Sequence, residues 1–345
     1  MEEHAFDSSK LHGYLRENLA DFPPEEGELK VFKFSAGTSN PTFLLRKNGK
    51  EFVLRHKSPV EMYVGYHKVD VEYKIMSALS GASVPVPKMY LFCEDKTVMG
   101  QEFYVMEYIK GRQFPDANLP GVPVDQTRAI FEAAIRTLVQ LQTVNTDGLH
   151  LEGLGDKENY FQARLEKLYE GYKRTERKAV PKAHQLMEWL KNNLPKENRK
   201  PVIYHADYRI SNMIFKEDEP QILAVIDWEA ACWGHPYEDL AYFCFPFHFP
   251  AELEVLPTGK VGYYSEGIPS EESLLSLYCQ LSGETLPLPD WTFFLGLTFF
   301  RVIVNIQTVL AQLTDSPVPF PFPVESIANM LEPLADYACS FVGVK

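Results

Sequence analysis

Three oxygen-bearing side chains stand out by type and spacing. His205-Ala-Asp207-Tyr-Arg209-Ile-Ser-Asn212 places a carboxylate five residues ahead of an amide, between the apolar runs Val202-Ile-Tyr204 and Met213-Ile-Phe215. After Lys216-Glu-Asp-Glu-Pro220, which has the composition of a hairpin turn, a further apolar run from Ile222 to Ile226 ends in Asp227. Phosphoryl transfer has a use for this set, because it asks the protein mainly for positioning and charge neutralisation. One carboxylate must sit beside an acceptor hydroxyl and take its proton. A second carboxylate and an amide oxygen must hold Mg²⁺ across the phosphates, a hard cation that keeps several waters and needs few protein ligands. A loop between two short strands, with Asp207 at its start and Asn212 at its end, puts the first two groups close together. A hairpin strand ending in Asp227 brings the third alongside. An acid ending a buried strand is costly without a cation, which favours a metal role over a structural one.

The elements that must carry these residues can be read from periodicity. Residues 31–34, 42–46 and 51–55 read as strands of a three-stranded antiparallel meander, with Asn48-Gly49 as a two-residue hairpin signal. Ser35 to Pro41, rich in turn formers, lies between the first two. Val71, Ile75, Ala78 and Leu79 give a helical period over 69–79. Strands follow near 88–92 and 102–109, until Lys110-Gly111 breaks the pattern. Beyond that point helices dominate, at 127–144, 158–174 and 182–192. The fold class expected is therefore α+β: a β-rich first lobe over 1–108 and a mainly helical second lobe over 109–345.

Composition narrows the function. The chain has 345 residues, 45% hydrophobic and 23% charged, enough for one large domain or two lobes with a real core. A net charge of -13 argues against nucleic acid, which needs a basic face. Five scattered Cys, none in CxxC spacing, point to reduced thiols rather than disulfides or zinc. The acidic start Met-Glu-Glu-His lacks the features of a leader, so a cytoplasmic location is expected. The apolar stretch Trp291 to Leu313 carries Arg301 at its middle and reads as a buried helix rather than a membrane span.

The pattern resembles the kinase sequence H-x-D-x-x-x-x-N followed by a metal-binding Asp. With Ile226-Asp-Trp-Glu229 and Gly234-His-Pro-Tyr-Glu-Asp239-Leu-Ala241, it resembles the aminoglycoside phosphotransferase and choline kinase-like family. Within that family it is most similar to the kinase-like domain attached to certain acyl-CoA dehydrogenases, which Ser-Asn-Pro-Thr-Phe43 and Phe103-Tyr-Val-Met-Glu-Tyr108 also match. The resemblance runs from about residue 30 into the C-terminal region. It implies a protein-kinase-like two-lobed fold, a small antiparallel sheet above a larger helical lobe, with ATP and Mg²⁺ between them. By that resemblance Asp207 is the base, and Asn212 and Asp227 hold the metal. Arg209 steadies either phosphate or substrate, or else braces the loop. His205 shapes the loop and Asp239 braces it.

In the first lobe the resemblance gives Gly37, Thr38 and Ser39 a place over the phosphates, although Gly37 also reads as a plain turn residue. Arg55 stands where relatives carry a phosphate-binding Lys, with Glu72 as its helix partner and Lys57 as the alternative. Glu107 and Tyr108 belong to the linker that meets adenine. Ala206 stands where relatives commonly have Gly, which is tolerable if the backbone there keeps negative φ. The expected reaction is phosphorylation of a small-molecule hydroxyl. A hydroxyacyl or hydroxyacid acceptor is favoured, since 113–200 and 243–300 are rich in aromatics without a dense acidic cluster. Aminoglycoside-, choline- and sugar-type acceptors stay open, and so does a silent nucleotide-binding or scaffold module. Partners in acyl-CoA metabolism would act in trans; neither membrane nor nucleic acid is expected as a partner.

Overall fold

A computed structural model describes residues 2–3, 9–34, 40–58, 68–149, 151, 153–155, 157–158, 160–196, 199–250, 253, 262–315 and 323–345. The loop residues Gly37, Thr38 and Ser39 lie outside the described residues.

The first lobe is built on one antiparallel sheet. Its strands are β1 (Glu2–Glu3), β2 (Lys30–Lys33), β3 (Thr42–Lys47), β4 (Lys50–His56), β5 (Met89–Cys93) and β6 (Phe103–Glu107), in the order β1-β2-β3-β4-β6-β5. Asn48 and Gly49 both take positive φ (46° and 78°) in the turn between β3 and β4, the conformation that matches hairpin twist. Side chains then alternate between the two faces of the sheet. Phe52, Leu54, Phe103 and Val105 enter one hydrophobic cluster, while Val53, Tyr104 and Met106 enter another.

The first cluster is closed by α1 (Ser9–Asn18), through Leu11 and Leu15, with Leu19 beyond it. This helix was not anticipated from the sequence, although Leu11, Leu15 and Leu19 repeat at the four-residue spacing of one helix face. The opposite face of the sheet receives α2 (Val69–Leu79), which buries Val71, Ile75, Met76 and Leu79. The short α3 (Lys96–Met99) joins β5 to β6.

The helical lobe contains α4 (Val124–Gln142), α5 (Tyr160–Thr175), α6 (Pro181–Asn192), α7 (Pro236–Cys244), α8 (Glu271–Ser282), α9 (Trp291–Asp315), α10 (Val324–Asn329) and α11 (Leu331–Phe341). The apolar α9 meets the length and hydropathy of a membrane span, but 78% of that window is buried inside the protein. It packs on α5, α6, α7 and α11, as a core helix does. Two small hairpin-like sheets serve the site: β8 (Met213–Phe215) pairs with β9 (Ile222–Val225), and β7 (Val202–Tyr204) pairs with β10 (Cys232–Gly234).

The chain crosses between lobes at Gly111. A Cβ there would lie 2.3 Å from the Phe215 carbonyl oxygen, so only glycine admits the close approach. At Arg112 the backbone bonds in both directions with Phe215 (2.7 and 2.8 Å), joining the linker to β8.

Candidate active site

The loop after β7 is held from two sides. The Asp239 carboxylate of α7 accepts hydrogen bonds from the His205 and Ala206 backbone N–H groups (2.7 and 3.0 Å). Burial pushes the Asp239 carboxyl up to about 7, with those N–H donors opposing the rise. From the other side the Arg301 guanidinium of α9 donates to the Ala206 carbonyl (2.6 Å) and to the Tyr204 hydroxyl. Between these braces Ala206 adopts φ 66°. The condition under which Ala would be tolerated without strain, a negative φ, is therefore not met: the loop takes the left-handed conformation that glycine adopts freely.

His205 is fully buried and acts as a connector. Its Nδ1 accepts from the Asp207 N–H (3.2 Å), and its Nε2 then carries the hydrogen that reaches the Ile226 carbonyl (3.0 Å). Burial lowers its pKa, so the ring is neutral and structural. It ties the Asp207 loop to the strand that precedes Asp227.

Asp207 is surrounded by donors. Its Oδ1 accepts from the Tyr242 hydroxyl (2.7 Å). Its Oδ2 accepts from Asn212 Nδ2 (2.7 Å) and Arg209 Nε (3.2 Å). The same Asn212 nitrogen reaches the Asp207 carbonyl (2.9 Å). Because the amide nitrogen is engaged with Asp207, the amide oxygen of Asn212 is the atom available to a cation. The Asn212 carbonyl accepts from the Ile226 N–H (2.9 Å), and Met213 pairs with Val225. Asp227 follows directly, at φ 71°, so the β8–β9 ladder delivers it next to Asn212.

At the other end Arg55 gathers the acids. The alternation of β4 puts Arg55 on the face shared with Val53. Lys57 lies past the end of the strand at His56, and its ammonium faces Glu102 (3.8 Å). Arg55 Nη2 donates to Asp227 Oδ1 and Glu229 Oε2, each at 2.7 Å, and Nε pairs with Glu72 Oε2 at 3.2 Å. Asn40 adds a hydrogen bond to Glu229 (2.9 Å) and accepts one from the Ser58 N–H (3.0 Å). Burial alone would lower the Arg55 pKa; Glu72, Asp227 and Glu229 more than offset it and keep the guanidinium charged. Three carboxylates face one cation, and burial pushes the most enclosed of them, Glu72, up to about 7, with Arg55 opposing the rise.

Between β4, the linker and β8 lies a cleft of about 260 Å³. Val53, Met76 and Met106 form its apolar wall, and Asn212 and Asp227 stand at its polar end. Glu107 and Tyr108 line it too; the Glu107 carboxylate accepts from the Lys88 N–H at 3.2 Å. The buried Ser211 hydroxyl, on the wall of this cleft, has no hydrogen-bond partner among the described residues. An orphaned donor beside two hard oxygen ligands suits a polar, metal-bearing ligand.

The structure thus brings Asp207, Arg209, Asn212, Asp227, Arg55 and Glu72 into one connected network, with Glu107 and Tyr108 on the same cleft. Sequence reasoning gave Asn40, Glu229, Tyr242 and Arg301 no part in the catalytic network; it placed Tyr242 in an aromatic run, 242–249, read as core packing or as the wall of an acceptor pocket. Tyr242 had a readable signal: it lies three residues after Asp239 on α7 and so shares its helix face. Glu229, two residues past Asp227, had only proximity.

Residues 31–273 match the model of the phosphotransferase enzyme family, abbreviated APH, and the chain belongs to that family. Over 343 residues it is 38% identical to human acyl-CoA dehydrogenase family member 11; the match takes in 97% of this chain and 43% of the human protein, so the chain spans less than half of that relative's length. A crystal structure of a protein provisionally assigned as an aminoglycoside phosphotransferase, from Ralstonia eutropha, superposes with TM-score 0.83 at 33% identity, covering 98% of each chain. A ternary complex of an aminoglycoside phosphotransferase with streptomycin and ATP shares the fold at TM-score 0.57 and 14% identity, covering 97% of this chain and 99% of that one. The fold is the two-lobed kinase-like one.

Proposed function

We propose that this chain transfers the γ-phosphoryl group of ATP to a hydroxyl of a small molecule. The observation that carries the reading is the wiring of Asp207 to Asn212 and of Asn212 to the strand bearing Asp227, at the polar end of an apolar cleft. The acceptor oxygen forms a bond to the γ-phosphorus, the bond from that phosphorus to the ADP oxygen breaks, and the hydroxyl proton passes to Asp207. Tyr242, Asn212 and Arg209 fix the orientation of the receiving carboxylate.

Asn212 Oδ1, Asp227 and Glu229 offer the hard oxygen set that Mg²⁺ prefers. When bound, the ion supplies neutralisation of phosphate charge. The apolar wall with Glu107 and Tyr108 suits a nucleotide base, and Arg55, bonded to Asp227, supplies a cation for the phosphates. The ATP-bound neighbour supports the nucleotide. Similarity to human acyl-CoA dehydrogenase family member 11 favours a hydroxyacyl or hydroxyacid acceptor as the finer reading, with acyl-CoA enzymes as partners in trans. A second reading, a nucleotide-binding module without turnover, draws on the Arg55 bonds that occupy Asp227 and Glu229.

The Asp207→Asn variant separates them. We expect phosphoryl transfer to fall about 10³-fold, in the range typical of lost general-base catalysis, while calorimetry shows unchanged Mg-ATP affinity. A variant as active as the parent removes Asp207 as base. Nucleotide binding without transfer to any alcohol in the parent favours the silent module.

A further inference from the structure

A second cavity of about 240 Å³ adjoins the same loop from the side away from the nucleotide cleft, between α5, α9 and the segment 229–233. Ala206 and Glu229, neighbours of Asp207 and Asp227, form its inner wall. It is about as large as the cleft between the lobes, at about 240 against 260 Å³. Its charge is the notable feature. In a chain of net charge -13, the lining among the described residues includes Lys68, Arg164, Lys167 and Arg301 against one acid, Glu229.

That acid is already bonded to Arg55 and Asn40. Behind the wall, Glu238 pairs with Arg164, and Asp239 is pushed toward its neutral form by burial. Arg164 is anchored on the Trp233 carbonyl (2.9 Å) and Arg301 on the Ala206 carbonyl, so both charges are fixed in place before any ligand arrives. Lys157 extends the positive rim, sitting 4.1 Å from the centre of the Trp233 ring. Such a concentration of one sign in a low-dielectric recess attracts the opposite charge.

We infer that the acceptor is an alcohol bearing a negative charge, a carboxylate or a phosphate, and that the cavity between α5 and α9 seats the anionic group. This rests on the phosphotransferase reading above and names its substrate class. The acceptor hydroxyl then points past Ala206 toward Asp207. Lys68 and Lys167 select the charge, and Arg301 links the cavity to the catalytic loop through the Ala206 carbonyl and to Tyr242 through its ring, 5.1 Å away.

The test uses the full chain at low ionic strength with Mg-ATP and matched probes. These are 3-hydroxybutyrate and glycerol 3-phosphate as anions, methyl 3-hydroxybutyrate and glycerol as their neutral counterparts, and choline as a cation. Each anionic probe is expected to show a kcat/KM at least tenfold above its neutral counterpart; the better of the two anions identifies carboxylate or phosphate. Since Arg164 and Arg301 also hold the fold, the variants are the exposed Lys68→Glu and Lys167→Glu. Each should raise the acceptor KM about tenfold while leaving the KM for ATP unchanged, and the effect should shrink as salt screens the charges.

Neutral or cationic alcohols used as well as the anions, or lysine reversals without effect on acceptor KM, overturn the inference while leaving the phosphotransferase reading intact. If no alcohol is phosphorylated, that reading fails by itself, and saturation-transfer NMR still decides the cavity. There 3-hydroxybutyrate or glycerol 3-phosphate must bind the parent and weaken in Lys167→Glu. Equal binding of the ester, or of both proteins, overturns it.

Discussion

The two halves of the candidate site are built by opposite strategies. The Asp207 end is local: its donors Arg209, Asn212 and Tyr242 all come from within 35 positions of the carboxylate. Their bonds are short, directional and set by one loop and one helix. The Arg55 end is remote: its guanidinium reaches acids 172 and 174 residues away and is held by charge. The first arrangement fixes one oxygen pair in space. The second fastens the β-lobe to the helical lobe while placing a cation beside Asp227 and Glu229. Local hydrogen bonds thus fix the carboxylate to which the proposed reaction passes its proton, and long-range charge sets how the lobes meet.

The comparison breaks most readily at Arg55. Removing one partner of a buried ionic group leaves uncompensated charge, so Arg55→Ala should lower unfolding stability by about 3 kcal/mol. It should also weaken ATP at least about tenfold, whereas Arg55→Lys, which keeps the charge but not the fork, should fall between. Chemical denaturation and calorimetry check both. An Arg55→Ala protein with unchanged stability and ATP affinity would reduce the cluster to a surface contact.

A pH experiment sharpens the same contrast. Glu72 titrates near 7 in the folded protein and 4.5 as a free side chain, so the folded state binds more protons over that window. Stability must then fall as pH rises from about 4.5 to 7. Asp239, raised from 3.8 to about 7, adds a decline of the same sign from the other end. The Glu72→Gln variant should remove only its own share, on the order of 2 kcal/mol between those limits. Thermal unfolding at a series of pH values reads the slope; an unchanged slope would mean Glu72 is ionised throughout.

At the local end, Tyr242→Phe deletes one of the donors on Asp207. A hydrogen bond to a charged group contributes about 1.5–3 kcal/mol, but other donors remain, and kcat should drop only about tenfold. ATP affinity should stay the same, since Tyr242 contacts Asp207 rather than the nucleotide cleft. A change in ATP affinity without a change in kcat would erase the distinction between the two ends.

How much of this was legible follows the same division. Asp207, Asn212 and Asp227 could be read because a hairpin makes sequence spacing a proxy for distance. Val69–Leu79 was legible to the residue, since its apolar period is regular. Arg55 with Glu72 came from the family pattern, and strand alternation explains in hindsight why Arg55 rather than Lys57 faces inward. Glu229 joining that pair was invisible, because contacts across 174 positions leave no periodic trace. Helix α1 was missed because Gly13 and several polar residues dilute a three-leucine signal whose partner surface, the outer sheet face, is itself a tertiary fact. Arg301 was noticed as a charge in an apolar helix, but its target, a backbone carbonyl, has no sequence signature.

The smallest expected effect tests the backbone conformation that the sequence left open at Ala206. Ala206 is held at φ 66° by Asp239 on its amide side and Arg301 on its carbonyl side. A left-handed alanine costs about 1–2 kcal/mol relative to its preferred conformation. Glycine removes that strain but adds freedom to the unfolded chain, which costs roughly 0.5–1 kcal/mol. Ala206→Gly should therefore gain only about 0.5 kcal/mol, seen as a small rise in Tm. Activity should stay within about twofold, because both braces grip backbone atoms that glycine also has. A clear loss of activity with unchanged or higher Tm would show that the methyl group, on the wall of the cation-lined cavity, touches the acceptor, and the two-ended picture would then need the cavity as a third member.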